Sequence, residues 1–251
     1  MIPALFKVGP FTVYGYGLFV SLGFLFGTLY TVRAASRDGI SRDVSLDVIV
    51  GVFVAGLLGA RILYILTDLD SYLVSPLSML KIWEGGLVYY GGFLAAVPVF
   101  FIVSRKYGIN SLKFADSISK GLVLGHFFGR LGCFTKGCCY GLENSAFGFV
   151  FPELNDHLKH LPTQLYEAAG LALIFLVLNS VKKKYDGQIL QMYLALYGLL
   201  RFIIEFFRGD FRGPSFLWFS VSQWISLGLL SAAILLHVAL SGKKKNANTG
   251  V

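Results

Sequence analysis

Seven apolar stretches, each close to the length that crosses a bilayer, constrain this chain more than anything else in it: about 11–31, 46–66, 87–104, 114–134, 163–181, 188–207 and 216–240. A spanning helix takes about 20 mostly apolar residues. A chain of 251 residues that commits so many of them this way has little left for a soluble domain. Composition agrees, at 55% hydrophobic and 14% charged with a mean hydropathy of +0.67, far from an average soluble domain. The expected fold is all-α: an integral membrane bundle of about seven transmembrane helices, forming one domain over residues 1–242. An outer loop at about 135–162 and a polar tail over 243–251, expected to fray, complete the chain. The first stretch has no basic leader and no small-residue cleavage pattern, so it reads as a retained helix. No internal repeat of the kind that builds inverted-repeat transporters is visible.

A net charge of +8 would suggest nucleic acid in a soluble protein, but here the positive charge follows the loops. Arg33, Arg37 and Arg42 follow the first stretch, Arg105, Lys106 and Lys113 the third, Lys182 to Lys184 the fifth, and Lys243 to Lys245 the seventh. In the opposite loops Lys7, Lys81, Lys136, Lys159, Arg208 and Arg212 are offset by Asp68, Asp70, Glu84, Glu143, Glu153, Asp156 and Asp210. The positive-inside rule then puts the N-terminus outside and the C-terminus in the cytoplasm.

A charged side chain near the bilayer centre costs about 2.5–3.5 kcal/mol on insertion scales, so such residues mark function or pairing. Arg61, Arg130, Glu167, Arg201 and Glu205 lie inside apolar stretches. With the topology above, each falls in the outer half of its helix, at the depth of Tyr14, Tyr16, Tyr89, Tyr90, Gln164 and Tyr166. Helical geometry places Arg201, Glu205 and Arg208 on one stripe, at roughly 0°, 40° and −20°. Arg201 and Glu205 can pair at i,i+4, which alone would lock one helix to a neighbour. Yet Arg61, Arg130 and Arg201 outnumber Glu167 and Glu205. Arginine captures phosphate oxygens through paired donors, and the anion always at hand at this depth is a lipid headgroup. The surplus cation therefore points to a phospholipid ligand. Gly121, Gly125 and Gly129, and Gly51, Ala55 and Gly59, repeat at the four-residue spacing that lets membrane helices approach closely. Gly85, Gly86, Gly91 and Gly92 could admit a lipid chain or simply bend the backbone.

Several separated runs resemble the prolipoprotein diacylglyceryl transferase family. They are Tyr16-Gly17-Leu18, Trp83-Glu84-Gly85-Gly86 with Gly91-Gly92, Gly129-Arg130-Leu131-Gly132-Cys133-Phe134, Pro162-Thr163-Gln164-Leu165-Tyr166-Glu167, and Tyr197-Gly198 through Arg201, Glu205 and Arg208. They occur in order over nearly the whole chain. The resemblance implies transfer of diacylglycerol from phosphatidylglycerol to the lipobox cysteine of an exported prolipoprotein, with loss of glycerol phosphate and no cofactor. It also implies a seven-helix enzyme of the bacterial inner membrane, acting at the outer leaflet. Carried over by motif, Arg130 clamps the donor phosphate, Arg201 stabilises the leaving phosphate and Glu205 orients Arg201. Arg61, Arg208, Gln164, Tyr166, Glu167, Tyr16, Gly91 and Gly92 complete the substrate-binding set.

The chain departs from the resemblance in three places. Tyr90 precedes Gly91-Gly92 where the family commonly has histidine, and Leu161 precedes Pro162 where histidine is usual. A thiol of pKa about 8.5 needs a base or a positive field to become a nucleophile, and tyrosine near pKa 10 is a poor base. His126, one helical turn before Arg130, is the candidate substitute; the alternative is a histidine hydrogen-bonded within the bundle. His157 and His160 are expected to be solvated. Third, Cys133, Cys138 and Cys139 stand where polar residues are usual. Their Cys-x4-Cys-Cys spacing lacks the paired pattern of a structural zinc site, so no metal is expected, leaving a disulfide or plain packing. These departures keep two rivals in play: a paralogue that modifies another acceptor, and a lipid-binding or transport protein without chemistry.

Overall fold

The computed structural model describes residues 4–8, 11–81, 85–210 and 216–248. Each apolar stretch contains a long helix. In chain order the helices are α1 (Gly15–Arg37), α2 (Arg42–Thr67), the short α3 (Leu69–Val74), α4 (Tyr89–Lys106), α5 (Ser111–Lys136), α6 (Thr163–Ser180), α7 (Gln188–Glu205) and α8 (Val221–Asn248). By length and composition α1, α2, α6 and the Val221–Ser241 part of α8 can cross a membrane. Their flanks expose Leu25, Leu29, Val50, Leu58, Leu173, Leu176 and Leu235, a surface that water would penalise and lipid would not.

The helical expectation needs two corrections. Before α1 the chain forms an antiparallel hairpin, β1 (Ala4–Val8) with β2 (Phe11–Tyr14), paired from Ala4↔Tyr14 to Val8↔Phe11. Thr12, Val13 and Tyr14 favour extended backbone, so the first apolar stretch begins as strand. A second hairpin, β3 (Phe149–Val150) with β4 (Lys159–His160), lies in the outer loop. At the other end α8 continues through Asn248, where a frayed tail was expected.

The chain forms two compact units, Met1–Ala34 with Ala115–Val251, and Ala35–Phe114. In the first, Val123, Leu171, Ile174, Leu178, Ile189 and Tyr193 form a buried core. There α1 meets α5 through glycines: a Cβ on Gly121 would collide with Thr31 Oγ1 and the Gly27 carbonyl. A Cβ on Gly129 would meet nothing within 4 Å, while Gly132 sits against Tyr16 and Phe19 of α1, so the contact passes over Gly129. Asp116, 2% exposed, accepts from the amides of Gly187 and Leu190 at 2.8 and 2.9 Å and so caps α7 from a distant part of the chain. In the second unit, α2 and α4 cross where Gly59 meets Gly91 and Gly56 meets Gly92, with no room for a Cβ at Gly59 or Gly91. Gly51, expected in that contact, has only ordinary neighbours.

Candidate active site

His126 and Arg130 lie one turn apart on α5, so both side chains reach the same residue of α6. Arg130 Nη2 stands 2.8 Å from Glu167 Oε1, an ion pair off hydrogen-bond geometry. His126 Nε2 lies 3.9 Å from that oxygen, too far for a hydrogen bond, and its ring meets the Tyr197 ring edge-on at 5.1 Å. Glu167 has no solvent exposure. Arg130 Nε and Gln164 Oε1 are buried without a hydrogen-bond partner among the described residues. Buried polar atoms left this way in a folded protein call for an explanation, and a ligand is one.

A second pair lies at the end of α7. Arg201 Nη2 contacts Glu205 Oε2 at 2.6 Å and donates to Ser222 Oγ at 2.9 Å. Ser220 Oγ donates to Glu205 Oε1 at 2.7 Å. Ser220 also caps α8 reciprocally: its amide donates to Gln223 Oε1 at 2.9 Å and the Gln223 amide donates to its hydroxyl at 3.2 Å. One serine thus fixes the start of α8 and the orientation of Glu205. The His126 ring lies between Glu167 of the first pair and Tyr197 of α7.

Arg208 does not extend the α7 stripe, a correction to the helical expectation. The helix ends at Glu205, and Arg208 lies in the following turn, where Nε and Nη2 grip Asp210 at 2.7 and 2.6 Å. Burial alone would lower its pKa, but hydrogen bonds with Asp210 and Cys139 push it above the ordinary arginine value. Tyr16 is half-exposed and stands over Gly132, with Lys136 Nζ 5.6 Å from its ring centre. Tyr166 is also partly exposed.

In the other unit, Arg61 sits under a loop it holds shut. Its Nε donates to the Met79 carbonyl at 3.0 Å, Nη2 to Ser78 at 2.6 Å, and Nη1 to Gly85 and Gly86 at 2.7 and 3.1 Å. The guanidinium also stacks near Tyr64 and Tyr72, at 5.7 and 5.4 Å, beside a cavity of about 280 Å³. Among the described residues Arg61 has no acidic partner. Its donors go to the backbone carbonyls of the loop. Tyr90 is exposed, its ring 6.0 Å from that of Tyr89. The crossing of α2 and α4 accounts for Gly91 and Gly92 without a ligand. Trp83 and Glu84 lie outside the described residues.

The outer loop is less solvated than expected. His160 Nδ1 meets the Gly141 carbonyl at 3.2 Å, its Nε2 meets Asp156 Oδ2 at 2.8 Å, and its ring packs on Tyr140; His157 is exposed. Backbone bonds tie the loop together: Gly141 N to Leu161 O at 2.8 Å, Leu161 N to Leu142 O at 2.9 Å, and Leu142 N to Phe207 O at 2.9 Å. Gln164 Nε2 donates to the Cys138 carbonyl and Thr163 Oγ1 to the Cys139 carbonyl, each at 2.7 Å. No disulfide joins Cys133, Cys138 and Cys139, and the Cys139 thiol is held below its ordinary range by hydrogen bonds with Cys133 and Cys138 and by Arg208.

Ser220 and Ser222 escaped the sequence reading, in which Asp210 figured only as a loop charge and Tyr197 only within a motif. The Ser220-x-x-Gln223 capping box and the Arg208-x-Asp210 spacing were available signals; nothing local marks Ser222 or Tyr197 as partners.

Buried arginine–glutamate pairs alongside helices long and apolar enough to cross a membrane mark an integral membrane protein. The chain belongs to the prolipoprotein diacylglyceryl transferase family, whose model matches residues 3–239. A phosphatidylglycerol–prolipoprotein diacylglyceryl transferase 2 from Clostridium perfringens is 34% identical over 243 residues, covering 93% of this chain and 94% of the relative. Enzymes named phosphatidylglycerol–prolipoprotein diacylglyceryl transferase from Finegoldia magna and from the Wolbachia of Culex pipiens are 34% and 32% identical. The first alignment covers 93% of both chains and the second 94% of both.

Proposed function

We propose that this chain transfers the diacylglyceryl group of phosphatidylglycerol to the lipobox cysteine of exported prolipoproteins, releasing glycerol phosphate. The thiolate sulfur bonds to the terminal glycerol carbon of the diacylglyceryl group, and the bond from that carbon to the phosphate oxygen breaks. The phosphate keeps the electron pair, and the thiol proton passes to a base.

The observation that carries this reading is Arg130. One of its nitrogens is neutralised by Glu167, while its buried Nε has no partner among the described residues. A phosphate oxygen is the acceptor such a donor suits. Arg201, oriented by Glu205 and Ser222, stabilises charge on the leaving phosphate. His126, one turn from Arg130 and 3.9 Å from Glu167, is the base that replaces the histidine missing at Tyr90. Gln164, Tyr166, Glu167 and Tyr16 shape the binding site; Arg61 and Arg208 act by holding loops. Seven helices span the plasma membrane of a bacterium, N-terminus outside and C-terminus cytoplasmic, with the site toward the outer leaflet. Residues 1–242 form the transferase domain, and 243–251 is a cytoplasmic basic end.

Purified protein in phosphatidylglycerol vesicles, given a lipobox peptide, is expected to release glycerol phosphate in step with peptide lipidation. Arg130→Ala serves as the control. Vesicles that bind peptide and lipid yet release nothing would reject the proposal in favour of a binding protein.

A further inference from the structure

Three thiols meet where α5 gives way to the outer loop. The sulfurs of Cys133, Cys138 and Cys139 all lie within 4.8 Å of one another, half-buried, and none is in a disulfide. The proposed transfer uses none of them. The backbone that brings them together is not relaxed: Cys139 has φ 68°, in the left-handed region that residues with a Cβ rarely enter. It is kept there by the Thr163 hydroxyl on its own carbonyl, by Gln164 on the carbonyl of Cys138, and by the Cys138 amide on the Cys133 carbonyl at 3.2 Å. Backbone held in such a conformation by its surroundings concentrates at ligand clamps and active sites.

We infer that Cys133, Cys138 and Cys139 form a three-coordinate site for a soft monovalent metal ion, copper(I). Three sulfurs bonded to one ion at about 2.3 Å stand about 4 Å apart in a trigonal arrangement, within the observed separations. Thiolates select soft ions. Among the described residues no histidine or carboxylate joins the three sulfurs in this group, so the set falls short of the four ligands of a structural zinc site. Three thiolates and one copper(I) carry a net charge of −2. Arg208, already paired with Asp210, borders the cluster at Cys139 and offsets part of that charge. Binding releases one proton from each thiol and changes no oxidation state.

The test uses the full chain, reduced and kept anaerobic in detergent, titrated with the coloured copper(I)–bicinchoninate complex. The wild type is expected to remove one equivalent of copper, and X-ray absorption of the loaded protein to show sulfur alone around the metal. Cys133→Ser and Cys139→Ser are expected to weaken uptake at least about 100-fold. No uptake, uptake unchanged in both variants, nitrogen or oxygen in the coordination sphere, or a disulfide among the three in protein alkylated in native membranes would each overturn the inference. The absorption measurement uses the unaltered chain, so a variant that fails to fold does not decide the outcome.

Discussion

Arg130 and Glu167 are useful only together. Removing the guanidinium leaves a fully buried carboxylate without its cation, and removing the carboxylate frees the guanidinium to turn away from its ligand. Arg130→Ala is expected to cut the rate of glycerol phosphate release by on the order of 10²–10³-fold, the loss seen when a group stabilising transition-state charge is deleted. The assay must be run on protein that still elutes as a monodisperse species, to separate chemistry from folding. His126 makes a sharper prediction. If it takes the thiol proton, His126→Ala loses lipidation at neutral pH and recovers part of it as pH rises through about 8.5, where a thiol ionises unaided. A pH–rate profile that matches the wild type would remove His126 from the mechanism. The sequence exposed Arg130, Glu167, Arg201 and Glu205 because a charge inside an apolar run is costly and hence conspicuous. It could not expose Ser222, since a hydroxyl in such a run costs little and draws no notice, and it showed Tyr197 only as part of a motif, not as a partner of His126.

At the level of elements, helix positions followed from apolar length, but the identity of the contact glycines did not. Spacing at every fourth residue nominated Gly121, Gly125 and Gly129 equally, because periodicity finds a face without showing where along the helix a partner arrives. The structure separates them. Gly121→Val drives a side chain into the carbonyl of Gly27 and the hydroxyl of Thr31, and overpacking of this kind costs about 1–3 kcal/mol. Gly129→Ala has open space and is expected to leave the thermal unfolding temperature unchanged, while Gly121→Val lowers it; equal melting of the two variants would refute the α1–α5 crossing. The hairpin before α1 was missed for a related reason. Phe11, Thr12, Val13 and Tyr14 are apolar enough to pass for helix, and only their β-branched and aromatic character argued otherwise. Arg208 was assigned to α7 because helical periodicity, once begun, has no internal signal that it has stopped. The turn after Glu205 is set by pairing with the loop that carries Gly141.

For the whole chain, orientation rests on the distribution of lysine and arginine among the loops. Alkaline phosphatase joined after Ser241 is expected to be inactive, as a cytoplasmic fusion is. The same enzyme inserted in the exposed outer-loop segment near Asn155 is expected to be active. The reverse pattern would invert the topology and place the arginine pairs against the inner leaflet.

The outer loop also determines how the molecule should respond to being cut. Asn155 and His157 sit exposed with φ of 52° and 57°, an accessible place for a protease. On either side of that point the polypeptide is stitched back to itself, with Gly141 bonded to Leu161 and Tyr140 bonded to Gly209. A single nick there should yield two fragments that travel together through purification and come apart only in denaturant. The two pieces, expressed from separate genes, should find one another and restore lipidation.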